Sequence, residues 1–305
     1  MHSSPPYPVE ILYRPAASLR VRPKTRGNYV QHCNLVYAEA HGIGLVMDVF
    51  TPKQNASGLA VVDVISSGWL SDRTTLNEHI GFGIIDALCE RGITVFAVSP
   101  GSVTLFTAGE MVRHVQAAIR HIKNNANHYG IKAEPLGLLG VSAGGHLGAL
   151  AALSPQRGRP GAHDPLRRWN TDVAAAAVFF PPTDLVDYGG VRFDRIRVEG
   201  LELEALLFRN GTEGVEEKAL LDTLTALSPA RIAPLHPPPF LIVQGKADPV
   251  VPWQQAEKLA ASLRGAGGSV RLIYKEDGGH PWPDIGVEIE EAAQWMDAAL
   301  RGTGS

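Results

Sequence analysis

The chain has 305 residues, 45% of them apolar, with 28 basic side chains against 31 acidic ones and a net charge of −3. That is enough apolar material for one large α/β domain. The near-neutral, scattered charge offers neither an electrostatic footprint for nucleic acid nor a polybasic patch for a membrane. Cys33 and Cys89 lie far apart, outside any CxxC, and read as reduced thiols rather than a disulfide framework. The N-terminus has no apolar signal-peptide core and no window approaches the roughly 18 apolar residues of a membrane span, so a cytoplasmic protein without stable membrane insertion is expected.

In chain order, residues 1–30 carry five prolines and little periodicity, and read as an arm over a single domain at 31–303. Asn34–Ala40 and Leu45–Thr51 form a hairpin around His41, Gly42, Ile43 and Gly44. Leu59–Ile65 is an almost unbroken apolar run, as expected for a strand covered on both faces. A helix over Gly81–Arg91 leads to a second such strand, Ile93–Val98. Glu110–Asn125 is an amphipathic helix with the stripe Met111, Val115, Ala118, Ile119 and Ile122. The strand Leu136–Gly140 and the helix Ala143–Leu153 follow, then strands at Val173–Phe180 and Pro239–Gln244. A helix over Gln254–Arg264, a strand over Val270–Tyr274 and a helix over Val287–Leu300 close the chain. This alternation predicts a mostly parallel sheet with helices on both faces. Residues 184–227 break it with charged, irregular sequence, readable as a small lid or as a crossover with extra helical turns.

Between the strand ending at Gly140 and the helix beginning at Ala143 stands Gly140-Val141-Ser142-Ala143-Gly144, a GxSxG pattern. A nucleophilic serine there occupies a tight strand-to-helix turn that tolerates only small neighbours. The free N–H of Ala143, at the helix N-terminus, becomes a donor for a developing oxyanion. His146 lies on the helix one turn further and is expected to pack inside the fold. A serine hydroxyl needs a histidine to take its proton, and the histidine needs a carboxylate to hold its tautomer. Asp248 sits in the turn after the strand ending at Gln244, and His280 in a glycine-bearing loop after the strand ending at Tyr274. Both fall on the carboxyl edge of a parallel sheet, in the order Ser, Asp, His. Other histidines, His79 among them, flank the wrong elements, and no His/Cys grouping has metal-ligand spacing, so neither metal nor cofactor is expected. Trp69, Trp253 and Trp282 lie on the loops that carry these groups and suggest an aromatic-lined acyl pocket.

With these stretches in place, and with Met47-Asp48-Val49-Phe50-Thr51-Pro52, Pro182-Thr183-Asp184-Leu185 and Gly278-Gly279-His280 beside them, the chain resembles the carboxylesterase and lipase-like branch of the α/β-hydrolase superfamily. It is similar to hormone-sensitive-lipase-like, feruloyl and acetylxylan esterases. The resemblance implies the α/β-hydrolase fold, a Ser142–Asp248–His280 triad, no cofactor, and hydrolysis of small-molecule or polymer-borne esters through an acyl-enzyme. It also implies a second oxyanion donor from the loop after the third strand. Where such esterases carry His-Gly-Gly-Gly-Trp, this chain has Ile65-Ser66-Ser67-Gly68-Trp69, closer to the Ser-Pro-Gly-aromatic loop of cutinase-like enzymes. The backbone N–H of Trp69 is the favoured donor, with that of Ser67 as the alternate. A prolyl-oligopeptidase-like peptidase and a non-catalytic binding protein remain the competing classes.

Overall fold

The computed structural model describes residues 27–197 and 203–302. Eight strands form one sheet: β1 (Tyr29–Ala40), β2 (Ile43–Pro52), β3 (Ala60–Val64), β4 (Thr94–Val98), β5 (Leu136–Val141), β6 (Ala175–Phe179), β7 (Phe240–Gly245) and β8 (Val270–Lys275). Their spatial order is β1-β2-β4-β3-β5-β6-β7-β8. The β1–β2 hairpin is antiparallel and β2 joins β4 antiparallel, while every pairing from β4 to β8 is parallel. Strand β1 starts at Tyr29, inside the stretch read as an arm, because its backbone pairs with the far end of β2 (Tyr29 opposite Pro52). The rest of that arm, residues 1–26, lies outside the described residues.

The helices are α1 (Arg73–Phe82), α2 (Ile84–Glu90), α3 (Ala108–Asn124), α4 (Ala143–Leu153), α5 (Leu203–Leu207), α6 (Glu217–Ala226), α7 (Gln254–Gly265) and α8 (Gly286–Arg301). One buried cluster joins Val62, Val64 and Leu138 to α3, α4, α6 and α7. A second, on the opposite face, joins Val61, Ile65 and Leu139 to α2 and α8. The split follows from the period of two along a strand, which sends neighbours to opposite faces. Close approach is bought with glycine: a Cβ on Gly148 would meet Leu138 at 2.6 Å, and one on Gly137 would meet Met296 at 2.6 Å.

One expectation changes, and the irregular stretch takes helical form. The helix expected over 81–91 is α2, and a further helix that was not expected, α1, precedes it. Helix α1 starts at Asp72, whose carboxylate caps the N–H of Thr75, and ends at Gly83, left-handed at φ 91°, from which α2 departs. Local sequence hid α1 because its apolar face is narrow. In the irregular stretch, the described parts of 184–227 fold as α5 and α6, with Leu206 and Leu224 buried in the main cluster. Buried Asp184 anchors its base, accepting hydrogen bonds from Arg231 at 2.6 Å and Lys258 at 3.2 Å.

Candidate active site

Strand order reverses around β3: β4 lies on one side and β5 on the other. Ligands of open α/β sheets gather outside the carboxyl ends of the strands at such a switch point. Ser142 follows β5 there, at φ 52°, ψ −119°, a backbone that non-glycine residues seldom adopt. The surrounding glycines make the turn possible. A Cβ on Gly140 would lie 2.4 Å from the Gly144 carbonyl oxygen, and one on Gly144 would lie 2.2 Å from that of Val64. The Gly144 N–H donates to the Ser66 carbonyl at 3.0 Å, tying the elbow to the loop after β3. The Ala143 N–H is the first of α4, so no carbonyl within the helix accepts from it, and the Ser142 side chain does not cap it.

The structure brings Ser142, His280 and Asp248 together from three loops. Ser142 Oγ lies 2.9 Å from His280 Nε2, and His280 Nδ1 lies 2.7 Å from Asp248 Oδ2. The other Asp248 oxygen accepts the N–H groups of Val250 (2.8 Å) and Val251 (2.9 Å), which fixes the carboxylate. The acid and base loops are laced by Lys246 N–H to Lys275 O at 2.8 Å and Ala247 N–H to Gly278 O at 3.0 Å. Gly245 admits that contact, since a Cβ there would lie 2.3 Å from the Gly278 oxygen. Ser142 Oγ is therefore the acceptor-facing hydroxyl of a hydrogen-bonded chain that ends on a buried carboxylate.

Ser142 and His280 border a cavity of about 940 Å³. Its other walls are Ser66, Ser67, Val141 and Phe180 near the serine, residues 78–83 with Asp86 of α1 and α2, and Pro281–Val287 leading into α8. Trp282 is in this wall, its indole N–H held by Glu288 at 2.9 Å. Phe180 stands between it and the histidine, 4.5 Å from the His280 ring and 5.7 Å from that of Trp282. Burial holds the Glu78 carboxyl above its ordinary range.

The remaining tryptophans are placed differently from expectation. Trp69 is not in the cavity wall: its ring is buried against Phe193 and its indole N–H donates to His146 Nδ1 at 3.0 Å. A turn closed by mutual bonds between Ser67 and Leu70, with Gly68 (φ 55°) and Trp69 (φ 59°) both left-handed, swings the indole into the core. The same turn spends the Ser67 N–H on Leu70 O at 2.9 Å. Trp253 is the residue before α7 and packs on Tyr274 with Lys246 above its ring, away from the cavity. These side-chain directions are set by neighbours remote in sequence, so loop position alone could not reveal them.

Of two further cavity residues, Phe180 went unread in the sequence and His79 was set aside as flanking the wrong element. Phe180 follows β6 with φ 36°, and nothing local marks it. His79 lines the cavity with Nδ1 2.9 Å from both oxygens of Asp63. The one usable signal was Asp63 itself, a lone acid inside an apolar strand, which by strand parity must face α1. Among the described residues no cluster of three or more metal-ligating side chains occurs, and no helix is long and apolar enough to cross a membrane.

The sheet, the elbow and the three loops define an α/β-hydrolase fold. Residues 47–263 match the BD-FAE family model, and the chain belongs to that family. It is similar to the esterase LipQ of Mycobacterium tuberculosis, with 31% identity over 53% of this chain and 36% of LipQ. It is also similar to the probable carboxylic ester hydrolase LipM of the same organism, with 25% identity over 78% of this chain and 52% of LipM. The chain thus spans about half, or less, of the length of these relatives. Among solved structures, a truncated carbohydrate esterase from gut microbiota superposes with a TM-score of 0.73 at 21% identity, covering 90% of this chain and 98% of that one. The thermophilic esterase Est2 of Thermogutta terrifontis superposes with a TM-score of 0.66 at 19% identity, covering 94% and 99%.

Proposed function

We propose that the chain hydrolyses carboxylic esters through an acyl-enzyme on Ser142, with short-chain or aryl esters as substrates. The observation that carries this is the unbroken line Ser142 Oγ, His280, Asp248, with links of 2.9 and 2.7 Å, opening on a cavity. Serine attack forms the Oγ–carbon bond as His280 Nε2 takes the hydroxyl proton and the carbonyl electron pair moves onto its oxygen. Collapse of the tetrahedral species breaks the carbon–alkoxide bond, and His280 returns the proton to the leaving alcohol. Water then repeats both steps to free the acid and Ser142. Asp248 keeps the Nδ1 proton in place and stabilises the imidazolium between steps.

Support comes from the names of the relatives, esterase and carboxylic ester hydrolase, and from Est2, captured phosphorylated by paraoxon. The small-acyl or aryl preference rests on the wall beside Ser142, where Val141, Phe180 and Trp282 offer apolar surface. The test is an ester panel from p-nitrophenyl acetate to long-chain and feruloyl esters, with aminoacyl-amides alongside and a fluorophosphonate probe. Turnover of the short and aryl esters, and labelling that disappears in Ser142→Ala, are expected. Amide cleavage alone would instead favour a peptidase, and absence of labelling a binding protein.

A further inference from the structure

The Asp248 side chain is 0% exposed, and among the described residues no Lys or Arg pairs with it. Its charge is therefore held by hydrogen-bond donors. The N–H groups of Val250 and Val251 serve Oδ1. Oδ2, the oxygen that faces His280, has one further donor, the side-chain amide of Gln244 at 3.4 Å. Gln244 is the one polar side chain of β7 and is fully buried, a place where an amide is costly unless it is hydrogen-bonded. The same Nε2 reaches the carbonyl oxygens of Gly245 at 3.0 Å and Val251 at 3.3 Å. All three neighbours are acceptors, so an oxygen in that place would be repelled by each, and the amide must turn its NH₂ group toward them. Val251 is thus gripped twice, its N–H by Asp248 and its carbonyl by Gln244. The turn that carries the acid is closed onto the end of β7. At 3.4 Å the link to Oδ2 is a long hydrogen bond, but away from water the amide dipole still acts on the carboxylate.

Other titratable groups around the pair are engaged elsewhere or lie across the cavity. Tyr188 gives its hydroxyl to the Val250 carbonyl at 3.0 Å, and burial raises its pKa, so it stays neutral. Lys246 pairs with Glu276 at 2.9 Å, and Asp277 acts on Lys275. On the His280 side the cavity wall adds His79 and the acids Glu78, Asp86, Glu90, Asp284 and Glu290. A substitution at 244 alters none of these.

We propose that Gln244 is a positioning residue of the triad: its amide holds Asp248 Oδ2 in line with His280 Nδ1 and offsets part of the carboxylate charge that His280 feels. No covalent bond changes at Gln244. The assignment rests on the ester-hydrolase reading of the site.

Two full-length variants test it. Gln244→Met keeps the side-chain length and removes the donor, while Gln244→Asn keeps the amide and shortens its reach. Each is compared with the wild type in thermal unfolding and in kcat/KM for p-nitrophenyl acetate from about pH 5 to about pH 9. Without the amide, His280 faces more of the Asp248 charge, which favours the imidazolium. The acid limb of kcat/KM, which requires the neutral imidazole, then moves to higher pH. A move of about half a pH unit or more is expected in both variants, with kcat lowered about 10-fold and KM changed by less than about 3-fold. An acid limb that coincides with that of the wild type overturns the assignment, whatever happens to kcat and Tm. Variants that do not fold overturn it as well, by showing an amide that serves only the fold. Wild-type protein that hydrolyses no ester overturns the proposed function itself, whereas an active wild type with unmoved variants overturns the role of Gln244 alone.

Discussion

The indole N–H of Trp69 donates to Nδ1 of His146 at 3.0 Å, joining two buried residues 77 positions apart. An indole nitrogen can only donate, so Nδ1 must carry a lone pair and the ring's proton sits on Nε2, which donates to Leu227 O at 2.8 Å. His146 thus ties the loop after β3, the elbow helix α4 and the end of the α6 segment together as a neutral ring. Burial pushes its pKa down to about 4.

From this follows a pH dependence of stability. Unfolded, the histidine titrates near its ordinary value of 6.5; folded, near about 4. Between those values the unfolded state binds more protons, so stability is full above about pH 6.5 and is lost as the pH falls toward 4. By pH 5 the loss from this residue is roughly 2 kcal/mol. Urea unfolding at pH 7.5 and pH 5 should show that slope in the wild type and a shallower one in His146→Gln. Equal slopes would sink the account.

The elbow stores strain that a substitution can release. At φ 52° and ψ −119°, Ser142 costs on the order of 1–3 kcal/mol, against the roughly 0.5–1 kcal/mol by which glycine loosens the unfolded chain. Ser142→Gly is expected to be more stable than Ser142→Ala by about 1 kcal/mol in chemical denaturation. Both should lose activity by about four orders of magnitude or more. A less stable glycine variant would show that the turn is unstrained.

For the acid, Asp248→Asn preserves the bonds that Oδ1 accepts from Val250 and Val251, but puts an NH₂ group where His280 Nδ1–H now donates. The histidine must then present the wrong tautomer to Ser142. By analogy with the serine-protease triad, kcat should drop about 10⁴-fold with KM and Tm little altered. Retention of more than a tenth of the wild-type kcat would remove Asp248 from the mechanism.

Neighbouring glycines of the elbow should rank by what their Cβ would meet. At Gly144 it would strike the Val64 carbonyl oxygen at 2.2 Å, backbone that cannot yield, while at Gly145 the nearest atoms are 3.2 Å away. Gly144→Ala is expected to cost about 3 kcal/mol and most of the activity, and Gly145→Ala about 1 kcal/mol. Thermal melts and ester assays on the two variants check the order, and the reverse ranking would contradict it.

Much of the fold was legible because its signals are local. The apolar runs at 59–65 and 93–98 read as covered strands, and the glycines around Ser142 marked a turn that only small residues allow. Asp248 and His280 were legible because each follows a strand on one edge of a parallel sheet, so chain order and parity decide where they arrive. Tertiary structure decided what no local pattern encodes, namely which way loop side chains face. Trp69 turns inward because a left-handed pair at 68 and 69 aims it at His146, Trp253 packs on Tyr274, and Phe180 enters the cavity instead. Ser66 and Ser142 border one cavity because β3 and β5, whose paired residues Val64 and Gly140 are 76 positions apart in the chain, end side by side.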